Sequence, residues 1–138
     1  MQTLYHISED KNLKYLNKRI PRYAIKGEEN TTIERICCST DIYGCLVAIS
    51  PILNDVLYVY KCLTNKNSVI LNPKQILKDV SDAEFTNEHW ILDKTIFVKL
   101  VGKVKILDSG NNISCKNSLG KKYLKNNTLK YEWISKED

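Results

Sequence analysis

Long apolar runs are missing from this chain. No segment approaches the roughly 20 consecutive apolar residues of a membrane span, and Met1-Gln2-Thr3-Leu4-Tyr5-His6 lacks the basic start and apolar core of a secretory leader. A cytosolic, cytoplasmic protein with no membrane partner is expected. C-x-x-C spacing is missing as well. The five cysteines, Cys37, Cys38, Cys45, Cys62 and Cys115, form an odd set, and four of them lie inside apolar patterns, so reduced buried thiols are expected rather than disulfides. Cys37 and Cys38, adjacent in a strand, project to opposite faces, which argues against a shared metal; no zinc is expected. Internal repeats and low-complexity runs are absent too. The lysines are scattered rather than clustered with aromatics, so the net charge of +5 fits a solvated exterior, and direct nucleic-acid binding ranks last among the expected functions.

What remains is enough for one domain. A chain of 138 residues with 43% hydrophobic and 27% charged residues belongs to the globular class and is long enough to bury a real core. The stretch that organises it is Arg35–Ile49, RICCSTDIYGCLVAI. Four residues of strand character run into Ser39-Thr40-Asp41, and apolar residues at helical spacing (Ile42, Cys45, Leu46, Ile49) follow at once. This reads as strand, tight turn, helix, with Thr40 or Asp41 accepting a hydrogen bond from the first free amides. Such a helix start suits an anionic group such as a phosphate; equally, Ser-Thr-Asp is a good cap and nothing more.

Around this centre the chain reads as short strands. Leu4–Ser8 is a β-type run that must pair centrally, with Leu4 and His6 facing one side and Tyr5 and Ile7 the other. His6 then lies on a core face or at the floor of a cleft. From Asn12 to Asn30 the pattern is weak: Leu13 and Leu16 fit one helical turn, and the connection carries Lys18, Arg19, Arg22 and Lys26. A connection of this length is a lid or binding loop, or a solvated excursion. Ser50-Pro51 ends the central helix. Val56–Leu63 is the strongest strand signal and an inner strand. Ser68–Leu71 is a short strand, Asn72-Pro73 starts a helix carrying Ile76, Leu77 and Val80, and Glu88–Leu92 opens a further strand. Thr95–Ile106 reads as one long strand or a bulged pair, with the bulge at Gly102 and Lys99, Lys103 and Lys105 turned to one solvent face. Beyond Asp108 the polar, lysine-rich sequence reads as a weak helix or an extended arm.

The fold class that follows is α+β, a mostly antiparallel sheet of short strands around two small helices. His6, the Ser39–Tyr43 turn and Glu88 come from separate elements, as the walls of a cleft would. Tyr5-His6-Ile7-Ser8, Arg35-Ile36-Cys37-Cys38-Ser39-Thr40 entering a helix, Glu88-His89-Trp90-Ile91-Leu92 and Phe97-Val98-Lys99-Leu100-Val101-Gly102-Lys103-Val104 resemble, in that order, small ADP-ribosyltransferase-like proteins, including short phage proteins of anti-CRISPR and anti-defence type. The resemblance implies a split, mostly antiparallel β core with two or three short helices, an ADP-ribosyltransferase-like domain over 1–107, with 108–138 an extension packed on the same domain.

It also implies NAD as substrate. His6 would bond a ribose hydroxyl, with Ser8 beside it; Ser39 and Thr40 would line the cofactor, and Tyr43 would flank the nicotinamide ring. Glu88 would be the catalytic residue, bonding the 2′-hydroxyl as nicotinamide leaves, where a fixed carboxylate stabilises the oxocarbenium-like charge most in the transition state. Arg19 and Arg22 would clamp the pyrophosphate, or stand as ordinary surface arginines. The family's second tyrosine and the acid two residues before the catalytic glutamate are absent; Thr86 stands at the latter place. Two functions are therefore expected: NAD-dependent mono-ADP-ribosyl transfer to a protein target such as a nucleic-acid-binding host defence complex, or a non-catalytic binder that sequesters an NAD-derived nucleotide or blocks a defence nuclease.

Overall fold

A computed structural model describes residues 2–21, 32–49 and 55–136. Over these described residues the protein is α+β, with a mostly antiparallel sheet and three short helices. The strands are β1 (Tyr5–Ser8), β2 (Tyr15–Asn17), β3 (Ile36–Ser39), β4 (Val56–Leu63), β5 (Ile70–Leu71), β6 (Glu88–Ile91), β7 (Thr95–Asp108), β8 (Asn111–Lys116), β9 (Lys122–Asn127) and β10 (Lys130–Ser135), and the helices are α1 (Ile42–Ala48), α2 (Pro73–Ile76) and α3 (Ala83–Thr86). The main sheet runs β10-β7-β4-β1-β3-β6-β5, with β2 also on β7, and β8–β9 form a separate hairpin.

The long strand β7 is the spine. One edge pairs with β4 from Leu63↔Phe97 to Val56↔Lys105. The other edge is shared end to end: β2 takes Thr95–Phe97 and β10 takes Gly102–Asp108. Leu13 and Leu16, spaced for a helical turn, therefore belong to a segment held extended by β7. The tail expected as a weak helix or an arm is built of strands, with β10 closing one edge of the sheet. Sheet partners at long sequence distance decide both cases against local pattern.

A bulge in β7 sorts the side chains. Val59 pairs with Gly102 and Tyr60 with Leu100, so Val101 is the extra residue, and the parity of β7 reverses there. Ile96, Val98 and Leu100 join the apolar cluster of Leu4, Ile36, Cys38, Tyr60, Cys62 and Ile91 on one face. Val101, Val104 and Ile106 join Ile7, Cys45, Leu46, Leu57 and Val59 on the other. Lys99 is consequently on the face opposite to Lys103 and Lys105, which corrects the expectation of one shared solvent face: it pairs with Lys61, whereas Lys103 pairs with Tyr58. Gly102 has a reason to lack a side chain, because a Cβ there would lie 2.5 Å from the Trp133 ring of β10.

The face of Leu4 and Tyr60 is covered by the segment after β1, where the Tyr60 hydroxyl donates to the Asp10 carbonyl and accepts from the Leu13 amide at 3.1 Å. The opposite face carries the helices. Under them lie the Ile7 cluster and a third group, Ile76, Leu77, Val80, Ala83 and Trp90, which packs with Cys37. Outside the helices lies the β8–β9 hairpin, seated by the Tyr123 ring 6.3 Å from that of Phe85 and by Asn117 Nδ2 donating to the Ser81 carbonyl at 2.9 Å.

Candidate functional site

Cross-strand register fixes which predicted site residues share a face. Lys99 pairs with Lys61, Lys61 with Tyr5, Tyr5 with Ser39, and Ser39 with Glu88. Directly paired residues project to the same side, so these five form one row on the helix side of the sheet. His6, one residue along from Tyr5, pairs with Tyr60 and points to the other side. Ser8 follows the parity of His6. The sheet thus lies between the imidazole and the carboxylate, which do not open into one crevice.

His6 sits where β1 and β3 part. The two strands share the register pair Tyr5↔Ser39 and no further one, and Nδ1 of His6 lies 3.3 Å from the Cys37 carbonyl across that opening. A carbonyl only accepts, so Nδ1 carries the proton and Nε2 is the acceptor. Burial pushes the His6 pKa below its ordinary value, and the positive charge of Arg19 pushes the same way. The ring is therefore neutral at neutral pH. Arg19 exchanges backbone hydrogen bonds with Arg35 at 3.1 and 2.9 Å, while Arg22 lies outside the described residues. Ser8 Oγ accepts from the Asp10 amide at 3.0 Å, closing the turn after β1.

On the helix side, Ser39, Tyr43 and Glu88 each have internal work. The buried Ser39 hydroxyl donates to the Thr86 carbonyl at 2.6 Å and accepts from the Asp41 amide at 3.0 Å. Asp41 caps α1, accepting from the Tyr43 amide at 3.0 Å, as the Ser-Thr-Asp sequence suggests; Thr40 is half-buried in the same turn. The Tyr43 hydroxyl donates to the Asn126 carbonyl of β9 at 3.1 Å, and its ring meets Phe85 edge-on at 6.2 Å. Glu88 is buried, and its Oε2 accepts from the Trp90 indole nitrogen at 2.7 Å. The Arg35 guanidinium stacks over that indole, 4.1 Å from the ring centroid, and donates to the Ile33 carbonyl at 2.9 Å.

Arg35 and Trp90 read in the sequence as ordinary strand residues. The signal was present in the spacing: Glu88 and Trp90 are two apart and so share a face, and Arg35 has the parity of Cys37 and Ser39. Arg35, Trp90 and Glu88 form a buried stack in which a cation lies on a ring whose polar edge holds the carboxylate. Such a carboxylate is an acceptor with its donor already in place. Tyr43 likewise ties α1 to β9, and Ser39 ties β3 to α3. All five cysteines are free thiols, with burial pushing the Cys45 thiol well up, and among the described residues no group of three His, Cys, Asp or Glu side chains is arranged to hold a metal ion. Comparisons with protein-family models, with curated proteins and with solved structures give no match.

Proposed function

We propose that the protein is a binding module that does not turn over NAD. Of the two functions expected from the sequence, this is the non-catalytic one. The observation that carries it is the Glu88 carboxylate, buried and bonded by the Trp90 indole at 2.7 Å on the face of the sheet opposite His6. A transferase needs that carboxylate free to meet a ribose as positive charge develops. Ser39 and Tyr43, which would line the cofactor, are spent on the Thr86 and Asn126 carbonyls.

The ADP-ribosyltransferase-like resemblance enters this reading as ancestry of form. The parting of β1 and β3 after a single register pair fits a split sheet of that kind, and the proposed role follows its non-catalytic branch, in which the partner is a macromolecule of a host defence complex. The test is incubation of the protein with NAD while free nicotinamide is measured. No release above the rate of NAD alone is expected, and Glu88→Gln should change nothing in that assay. Steady release that Glu88→Gln abolishes would return the protein to the transferase reading.

A further inference from the structure

The helix side of the sheet is left open at one end. Tyr15 of β2, Phe97 of β7 and Leu63 of β4 stand side by side in register, so all three project from the same side. They remain 53%, 66% and 45% exposed, whereas the helices cover Ile7, Leu57 and Val59 farther along the same face. Two residues along the strands, about 7 Å away, the next row holds Lys99 opposite Lys61, both exposed. The β1 neighbour of Lys61 is Tyr5, so among the described residues no acidic side chain stands in register beside the pair. On the other flank Thr95 Oγ1 donates to Asn17 Oδ1 at 2.6 Å, giving a polar rim.

Neither the Tyr15, Phe97 and Leu63 row nor the Lys61–Lys99 pair serves the fold. Like charges directly opposed on one sheet face destabilise it, and a ring that stays two-thirds exposed buries little apolar area. Both features suit an anionic ligand with flat apolar faces. We propose that the β2–β7–β4 face binds single-stranded nucleic acid, bases stacking on Phe97 and Tyr15 while Lys61 and Lys99 take the adjacent phosphates. Rings on adjacent strands with lysines alongside are what sequence-tolerant binding of a single strand requires, since every base has a π face. A duplex keeps its base faces stacked inside and has nothing to offer the rings. The scattered lysines of the sequence hid this arrangement, because Lys61 and Lys99 meet only through register. The inference names the partner of the non-catalytic reading above and rests on it.

The test uses the full chain and a fluorescein-labelled oligothymidylate of about 12 nucleotides, within the site sizes of stacking platforms. Fluorescence anisotropy should show binding of the single strand and much weaker binding of a duplex of equal length. Phe97→Ala should weaken binding about tenfold without changing its salt dependence. Lys61→Ala and Lys99→Ala should each lower the slope of log affinity against log salt by about 0.7. Because Phe97 is exposed, its variant should melt like the parent, and Phe97→Trp should bind with quenching of its added fluorescence. Equal binding of duplex, unchanged affinity in Phe97→Ala, or no binding by folded protein would each overturn the proposal, as would burial of this face between two copies of the chain in solution. Nicotinamide release is read separately, so loss of the non-catalytic reading and loss of the stacking face are distinct results.

Discussion

The indole nitrogen of Trp90 donates to Oε2 of Glu88 at 2.7 Å, two residues back on the same strand and the same face. The pair makes Glu88 part of the packing. Removing the carboxylate in Glu88→Ala leaves a buried indole N–H without its acceptor, at a cost of about 1–3 kcal/mol. Glu88→Gln keeps an acceptor oxygen and should cost less. Urea denaturation of the two variants measures the order, and equal losses would show that the indole bond contributes nothing.

His6 gives folding a pH dependence of definite sign. Its pKa is lowered in the folded protein, chiefly by burial, from an ordinary value of 6.5. The unfolded chain therefore binds the proton first as pH falls, so stability rises with pH through this window. The contribution is fully present above about 6.5 and is lost as pH falls from there toward the folded value. Melting temperatures taken from about pH 7.5 down to about pH 5 should fall, and His6→Asn, which keeps a donor toward Cys37, should flatten that segment of the profile.

Gly44 marks the closest approach of α1 and α3. A Cβ placed there would lie 1.9 Å from the Thr86 carbonyl oxygen, the same oxygen that accepts from Ser39 at 2.6 Å. Gly44→Ala must push the two helices apart, and overpacking of this kind costs about 1–3 kcal/mol. The gain in helix propensity offsets about 1 kcal/mol at most. A lowered denaturation midpoint is the expected result.

Thr128, in the turn between β9 and β10, holds φ at 65°, a left-handed conformation in which a β-branched residue is strained. It is exposed, so exchange disturbs little else. Thr128→Asn should raise stability by about 1 kcal/mol. A thermal melt no higher than that of the parent would locate the turn's requirement in the Thr128 hydroxyl, which donates to the Asn127 carbonyl at 2.6 Å.

The elements whose cause is local were legible. Asp41 caps α1 and Asn72 caps α2 with a reciprocal Gln75 bond, and Val56–Leu63 declared an inner strand by composition. α3 was not legible, because Ala83–Thr86 has no apolar stripe and is held by what Ser39 and Gly44 do to Thr86. The tail strands lack clear alternation and exist through pairing with β7 and with each other. For the site, residue types were readable but faces were not. His6 and Glu88 fall on opposite sides because of which residue of β1 meets Ser39, a choice made across the sheet and not within either strand.

The sharing of the outer edge of β7 between β2 and β10 bears on how the protein assembles during synthesis. Tyr15–Asn17 has its partner at Thr95–Phe97, so a nascent chain must hold β2 unpaired until that part of β7 has left the ribosome. Closing such a distant contact is slow compared with a hairpin. Over that interval Leu16 and Tyr60 lack Ile96, Val98 and Leu100, the β7 side chains of their own cluster, and the growing chain is most in need of a chaperone.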